Sequence, residues 1–102
     1  MTATIDLNAD LGEMPESVAR DIAILDIVTS CNIACGGHAG DAKSMAAMLA
    51  AAKERGVAAG VHPSYPDREQ FGRRSLDISA ESLTDSLRAQ IAAFAAAADQ
   101  AE

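Results

Sequence analysis

The chain has 102 residues, the size of one small domain. Eight Lys and Arg residues against fifteen Asp and Glu residues give a net charge of −7, which disfavours nucleic acid and anionic membranes as partners. Apolar runs reach eight residues, as in Ile91 to Ala98, whereas a membrane-spanning helix needs about 20. No basic, apolar leader precedes Arg20. We therefore expect one domain over residues 1–102 of a cytoplasmic protein that binds neither membranes nor nucleic acid.

The first predicted element is a strand over Thr2–Asn8, where apolar and polar residues alternate. Asp6 and Asn8 lie on its polar side, and Asp10 continues the same series beyond the strand. Carboxylate and amide side chains at a strand end can belong to a binding site. They can equally form turns and helix caps, and both interpretations stay open for this series.

A helix beginning at Pro15 is predicted next, because Val18, Ile22 and Leu25 recur at helical spacing. A strand over Ile27–Ala34 should follow the helix. It contains few polar residues, which is typical of a parallel strand that is covered on both faces.

Two cysteines in and after this strand, Cys31 and Cys35, are predicted to be free and buried thiols. Along an extended strand their Cα atoms would lie about 13 Å apart, whereas a disulfide needs about 7 Å or less. The same separation argues against a zinc site that joins both thiolates to His38 and His62.

Three glycines, Gly36, Gly37 and Gly40, separate this strand from a helix that Asp41 should cap and that should run to Arg55. Backbone N–H groups in a loop between a strand and a helix can bind a carboxylate or a phosphate. The glycines and Asp41 are therefore candidate substrate- or nucleotide-binding residues.

A short strand over Val57–Val61 is predicted to end at His62, before a long polar loop over Pro63–Leu76. Loops of this length in compact domains are often functional. Arg73 and Arg74 in this loop are suited to bidentate contacts with carboxylate or phosphate groups, so they are further binding candidates. Salt bridges to the abundant acidic residues are the alternative.

A last helix should begin after Ser79, with an apolar face made of Leu83, Leu87, Ile91, Phe94 and Ala98. The resulting order of strands and helices predicts an α/β fold with a parallel sheet and right-handed crossovers.

Residues that follow parallel strands gather at one edge of the sheet, so we expect Asp10, His38 and His62 to converge. Histidine and carboxylate side chains of this kind can serve as general acid and base. The same three residues could instead form a metal site that leaves one position open for water.

Three long motifs carry a family resemblance: DLNADLGE at Asp6–Glu13, SCNIACGGHAGD at Ser30–Asp41, and HPSYPD with FGRR within His62–Arg74. They resemble the LamB/YcsF family, which includes the A subunit of the bacterial ATP-dependent 5-oxoprolinase. The resemblance implies a parallel β/α barrel of the glycoside hydrolase and deacetylase type. This chain would be an N-terminal partial barrel with about three βα units.

The resemblance implies a hydrolase that opens 5-oxo-L-proline, or another small lactam, to L-glutamate with ATP hydrolysis, together with partner subunits B and C. ATP is thus the implied cofactor, and a divalent metal such as Mg²⁺ could accompany it. The sequence contains no G-x-x-x-x-G-K-[ST] motif, so ATP binding depends on the resemblance alone. A non-catalytic subunit that binds substrate or assembles partners is an alternative.

The polar motif residues of the family fall on Asp6, Asn8, Asp10, Glu13, Asn32, His38, Asp41, His62, Asp67, Arg73 and Arg74. Among them, Asn8 and Asn32 join the glycines and arginines as candidate substrate- or nucleotide-binding residues. Family members are considerably longer than this chain, and a partial barrel has an unpaired sheet edge. We therefore expect a homo-oligomer or completion of the barrel by another chain.

Overall fold

The structure, a computed structural model, describes residues 2–101, so Met1 and Glu102 at the ends of the predicted domain lie outside the described residues. Three strands form one parallel sheet in the order β1, β2, β3. The strands are β1 (Asn8–Leu11), β2 (Ser30–Ala34) and β3 (Ala58–His62). The predicted α/β fold with a parallel sheet is confirmed, whereas closure into a barrel and a single domain over 1–102 stay predictions.

Helices connect and follow the strands in the predicted order. A short 3₁₀ helix (Pro15–Ser17) leads into α1 (Val18–Ile24), α2 (Ala42–Arg55) joins β2 to β3, and α3 (Ala80–Ala101) follows the long loop. None of the helices within residues 2–101 is long and apolar enough to cross a membrane.

The predicted bounds of the first strand, Thr2–Asn8, are wrong. Pairing with β2 starts only at Leu7, whose carbonyl accepts the N–H groups of Thr29 and Ser30. Further upstream Ile5 is 76% exposed. A segment with alternating apolar and polar residues forms a strand only where a neighbouring strand hydrogen-bonds to its backbone. Here the alternating pattern starts upstream of the first residue that pairs with β2.

The second strand is also shorter than the predicted Ile27–Ala34. After α1, the N–H groups of Asp26 and Ile27 bond back to the carbonyls of Ala23 and Ile24, which continues the turn of the helix. Ile27 is consequently 70% exposed. The apolar run therefore includes a helix-to-strand turn as well as the strand itself.

The two faces of the sheet differ in character. Leu11, Cys31 and Ile33 lie on the face that packs against the helices, and all three are buried. Ser30 and Asn32 point to the opposite face and are only partly buried. The prediction that β2 is covered on both faces therefore does not hold for the described residues.

Helix α2 provides most of the helical side of the core. Its buried residues include Met45, Met48 and Leu49. Asp41 caps the helix in a reciprocal arrangement with Ser44, in which each side chain bonds the backbone N–H of the other residue. Cys31 and Cys35 are buried free thiols, and burial raises the pKa of both.

Helix α3 begins as predicted, because the Ser79 hydroxyl accepts the N–H of Ser82. Phe94 on the predicted apolar face packs against the core. Ile91 belongs to the same predicted face but is 46% exposed, whereas the adjacent Gln90 is 7% exposed. The apolar pattern is therefore wrong at this turn, where the helix meets polar backbone groups of the loop after β3.

Candidate functional site

Two histidines and one carboxylate meet at the carboxyl edge of the sheet. The candidate ligand atoms of Glu13, His38 and His62 all lie within 4.8 Å of one another. Asp10 is next to this group, with its Oδ1 atom 3.9 Å from Nδ1 of His62. The structure thus brings the predicted Asp10, His38 and His62 to one edge, and it adds Glu13 as the carboxylate that contacts His38.

Glu13 reaches the site because the chain turns sharply after β1. Gly12 has a φ of +74°, in the left-handed region, and its N–H donates to the buried Oδ2 of Asp21 over 2.9 Å. The carbonyl of Glu13 accepts the N–H of Gly40 over 3.1 Å. Contacts from α1 and from the loop before α2 therefore hold the backbone that carries the Glu13 side chain.

His38 is held on both ring nitrogens. Nε2 lies 2.7 Å from Oε2 of Glu13, and Nδ1 lies 2.9 Å from the hydroxyl oxygen of Ser64. The ring is 5% exposed and packs edge-on against Phe71 at a centroid distance of 5.2 Å. An ionised carboxylate only accepts hydrogen bonds, so Nε2 donates to Glu13.

His62 differs from His38 because one of its nitrogens has no partner. The rings lie 4.6 Å apart, but Nδ1 of His62 is buried and makes no hydrogen bond among the described residues. Asp10 is nearby yet beyond hydrogen-bonding distance, at 3.9 Å. An unpaired buried polar atom costs about 1–3 kcal/mol, which favours a bound ligand or water as its partner.

Two adjoining cavities open at this edge. The first has a volume of about 240 Å³ and is lined by Asp10, Glu13, His38, His62, Ser64, Phe71, Gly72 and Arg73. The second, of about 390 Å³, shares Asp10, Glu13 and Phe71 with it and extends towards Met14 and Arg20. The smaller cavity has a mostly polar wall with one apolar ring, Phe71, whereas Met14 and Ile24 add apolar surface to the larger one.

Below the cavities, a ladder of hydrogen bonds crosses the polar face of the sheet. Asn32 Nδ2 donates to Oδ1 of Asn8 over 2.7 Å and to Oδ1 of Asp10 over 3.0 Å. At the far end, hydrogen bonds from Thr29 and then Ser30 lower the pKa of Asp6. Asn8 and Asn32, predicted to bind substrate or nucleotide, do not line the two cavities; Asn32 instead holds Asp10, and Asn8 holds Asn32.

The structure does not direct the glycine loop towards the cavities. Gly36 N–H donates to the carbonyl of Ala39 over 3.0 Å, and Gly40 N–H is used by Glu13. Asp41 caps α2, and the N–H of Ser44 lowers its pKa. Two of the three proposed anion-binding amides are thus occupied, which does not support a phosphate cradle here.

Gly37, the third of these glycines, is enclosed by another side chain. A Cβ atom at this position would lie 2.4 Å from Oε1 of Gln90. The arrangement leaves no room for a ligand beside Gly37.

The two arginines have different surroundings. Arg73 is exposed and borders the smaller cavity. Arg74 forms salt bridges with Asp67 over 3.2 Å and with Glu69 over 3.8 Å. The alternative interpretation, a salt bridge to an acidic residue, therefore describes Arg74, while Arg73 keeps a free face towards the cavity.

Ser64 and Phe71 contact His38 but were not singled out from the sequence, and Glu13 was singled out only through the family motif. Glu13 had a local signal, because Gly12 before it is suited to a sharp turn at a strand end. Ser64 and Phe71 had none, since their distance to His38 depends on how the long loop folds back.

Comparisons with known proteins agree with one another. A sequence model of the LamB/YcsF family matches residues 5–102. The 5-oxoprolinase A subunit of Methylococcus capsulatus is 50% identical over 97 residues, which are 93% of this chain and 37% of that protein. The crystal structure of the lactam utilization protein from Thermus thermophilus matches with a TM-score of 0.84 and 35% identity, over 96% of this chain and 40% of that one. The chain thus spans about two fifths of the length of these relatives.

We predict that Gly12→Ala destabilises the protein more than Gly56→Ala. Both glycines have positive φ values, but a Cβ at Gly12 would lie 3.2 Å from Cγ of Met48, whereas nothing lies within 4 Å at Gly56. The left-handed conformation costs about 1–3 kcal/mol for other residues, and the crowding adds to this cost only at Gly12. Urea unfolding of the two variants measures the difference. Equal losses of unfolding free energy would contradict the crowded turn that we describe before Glu13.

Proposed function

The chain belongs to the LamB/YcsF family, and from this premise we propose that it carries part of the lactam-opening site of a 5-oxoprolinase. The observation that carries the proposal is the cluster of Asp10, Glu13, His38 and His62 around a cavity of about 240 Å³. It contains paired acid and base groups in a space suited to a small ring. The 50% identity to a 5-oxoprolinase A subunit supports the choice of substrate.

The proposed reaction adds water to 5-oxo-L-proline and yields L-glutamate. The water oxygen forms a bond to the lactam carbonyl carbon, and the bond from that carbon to the ring nitrogen breaks. One group must take a proton from water and another must give a proton to the departing nitrogen. A positioned acid or base typically contributes about 10²- to 10⁴-fold to such a rate.

We assign the base to His62, because its buried Nδ1 has no hydrogen-bond partner and faces Asp10. Proton uptake by this ring creates a positive charge, which the carboxylate of Asp10 stabilises across 3.9 Å. The pair of His38 and Glu13 is the second proton-transfer group, in which Glu13 takes a proton from Nε2 of His38 and delivers it to the ring nitrogen.

Arg73 is the proposed partner of the substrate carboxylate. Its side chain borders the cavity, and a guanidinium binds a carboxylate in a bidentate manner. A positive charge is needed at the rim of the cavity to bind the substrate carboxylate, since the other ionisable groups along the cavity wall are acidic residues and histidines.

ATP is proposed as a cosubstrate of the assembled enzyme, with partner subunits B and C. The loop that carries Gly36 and Gly40 does not fit a phosphate cradle, because the amides of both glycines are already bonded within the chain. No chemical step on this chain is therefore derived through ATP or its Mg²⁺ ion.

We further propose that the sheet continues into a parallel β/α barrel. The match to the lactam utilization protein over 40% of that chain supports this extension, as do β1 and β3, each of which pairs on one side only within the described residues. Unpaired edges promote association. We expect the 102-residue chain to form a dimer or larger species in light scattering after size exclusion, and a stable monomer would contradict completion by a second copy.

We predict that His62→Ala and His38→Ala each lower kcat by about 10²- to 10⁴-fold, because each removes a proton-transfer group. The measurement is release of L-glutamate from 5-oxo-L-proline by this chain assembled with subunits B and C. Asp99→Asn on the exposed side of α3 is the matched control and should keep full activity. Unchanged turnover in both histidine variants would refute the assignment.

A metal-dependent hydrolase is the second candidate function. It is favoured by the close approach of the ligand atoms of Glu13, His38 and His62, within 4.8 Å. A metal in such a site would activate a bound water molecule. The donor set differs from the predicted Asp10, His38 and His62, because Glu13 lies closer to His38 than Asp10 does to His62.

Metal content separates the two candidates. For a metal-dependent enzyme, protein purified without chelator should contain about one metal ion per chain. Glu13→Ala should lose that metal, whereas Asp10→Ala should retain it. Elemental analysis of the three proteins provides the measurement. Metal-free wild-type protein that opens the lactam in the assembled enzyme would exclude this second candidate.

A further inference from the structure

We propose that Gln90 of α3, acting through Ser64, is a positioning residue for His38. The contacts of Gln90 and Ser64 are observed in the structure. Their effect on catalysis rests on the proposed lactam-opening function. Gln90 lies on α3 beside Ile91, the residue that the sequence predicts for the apolar face, and it does not line either site cavity.

The side-chain amide of Gln90 binds both backbone groups of Ser64. Its Oε1 atom accepts the N–H of Ser64 over 3.0 Å, and its Nε2 atom donates to the carbonyl of Ser64 over 2.8 Å. A second donor contact from Nε2 reaches the hydroxyl of Ser86 over 3.1 Å. A neighbouring strand would satisfy the backbone in the same two-point manner, but β3 ends at His62.

Ser64 transmits this placement to the site. Its hydroxyl oxygen lies 2.9 Å from Nδ1 of His38 and 3.0 Å from the carbonyl oxygen of Tyr65. The opposite nitrogen of the ring is held by Glu13. The partner at one ring nitrogen sets the orientation and the proton position at the other, so the place of Ser64 determines how His38 meets Glu13.

The surroundings of Gln90 are closed around the same loop. The amide is 7% exposed, and its Oε1 atom also receives a weak contact of 3.5 Å from the thiol of Cys35. Gly37, directly before His38, has space only for hydrogen beside this amide. Burying an amide is unfavourable unless its hydrogen bonds are made, and the two shortest of those that Gln90 makes go to Ser64, which contacts His38.

The test compares variants that break the contact at different points. Gln90→Met keeps an unbranched side chain of similar length but removes both bonds to Ser64. Ser64→Ala keeps those backbone bonds and removes only the hydroxyl, so it decides the question even if Gln90→Met does not fold. Ser64→Thr restores the hydroxyl. Gln100→Met, at an exposed position of the same helix, is the matched control.

The first measurement is independent of activity. Nitrogen-15 NMR of the histidine rings in the full chain reports which ring nitrogens carry protons or accept hydrogen bonds. Gln90→Met and Ser64→Ala should shift the Nδ1 signal of His38, whereas Ser64→Thr and Gln100→Met should resemble the wild type. Unshifted His38 signals in Ser64→Ala overturn the proposal, and a shift in Ser64→Ala but not in folded Gln90→Met overturns the part assigned to Gln90.

The second measurement is turnover in the assembled enzyme. Loss of a residue that orients a site group typically costs about 10- to 100-fold, so kcat should fall by this factor in Gln90→Met and Ser64→Ala and recover in Ser64→Thr. The KM for 5-oxo-L-proline should change by less than about 3-fold in Gln90→Met, because Gln90 does not line either cavity. Unchanged kcat despite shifted ring signals overturns the catalytic consequence. If the wild-type enzyme does not open the lactam, the proposed function is refuted. The NMR measurement then still decides whether Gln90 and Ser64 position His38.

Discussion

Parallel pairing of β1 and β3 onto the central strand β2 is the constraint on which the rest of the structure depends. Asp10 lies opposite Asn32, and Ala34 lies opposite His62 in this register. Because all three strands run in one direction, the turn that carries Glu13, the loop that carries His38 and the end of β3 open at the same edge. A change of register by one residue would turn Asp10 and His62 towards the helices.

Some polar groups at this edge of the sheet are hydrogen-bonded within the chain, and others are open to a ligand. Asn32 is bonded to Asp10, the amide of Gly36 donates to Ala39 in its own loop, and the amide of Gly40 donates to Glu13. Buried backbone groups need such partners, so a glycine-rich loop is not free to bind an anion merely because it is rich in glycine. The buried Nδ1 of His62 lacks a partner among the described residues, which leaves this atom available to a ligand at the edge.

Long-range contacts explain why part of the site could be predicted and part could not. The convergence of Asp10 with the two histidines follows from the order of strands and helices alone. The contact between Glu13 and His38 depends on the turn at Gly12, and that of Ser64 depends on a loop without helix or strand. Helical spacing likewise predicted Ile91 rather than Gln90 on the inner face of α3. The spacing of apolar residues gives no information about a polar side chain that is buried because it bonds the backbone of another segment.

The sequence by itself determined the order of elements, the Asp41 cap of α2 and the family, since these depend on local backbone preferences, apolar spacing and extended motifs. Tertiary structure alone decided where β1 and β2 begin, which carboxylate contacts His38, and that Gln90 is buried beside Ser64. The physical reason is the same in each case. A strand, an ion pair or a buried amide exists only where a partner from a distant part of the chain supplies the other half of the interaction.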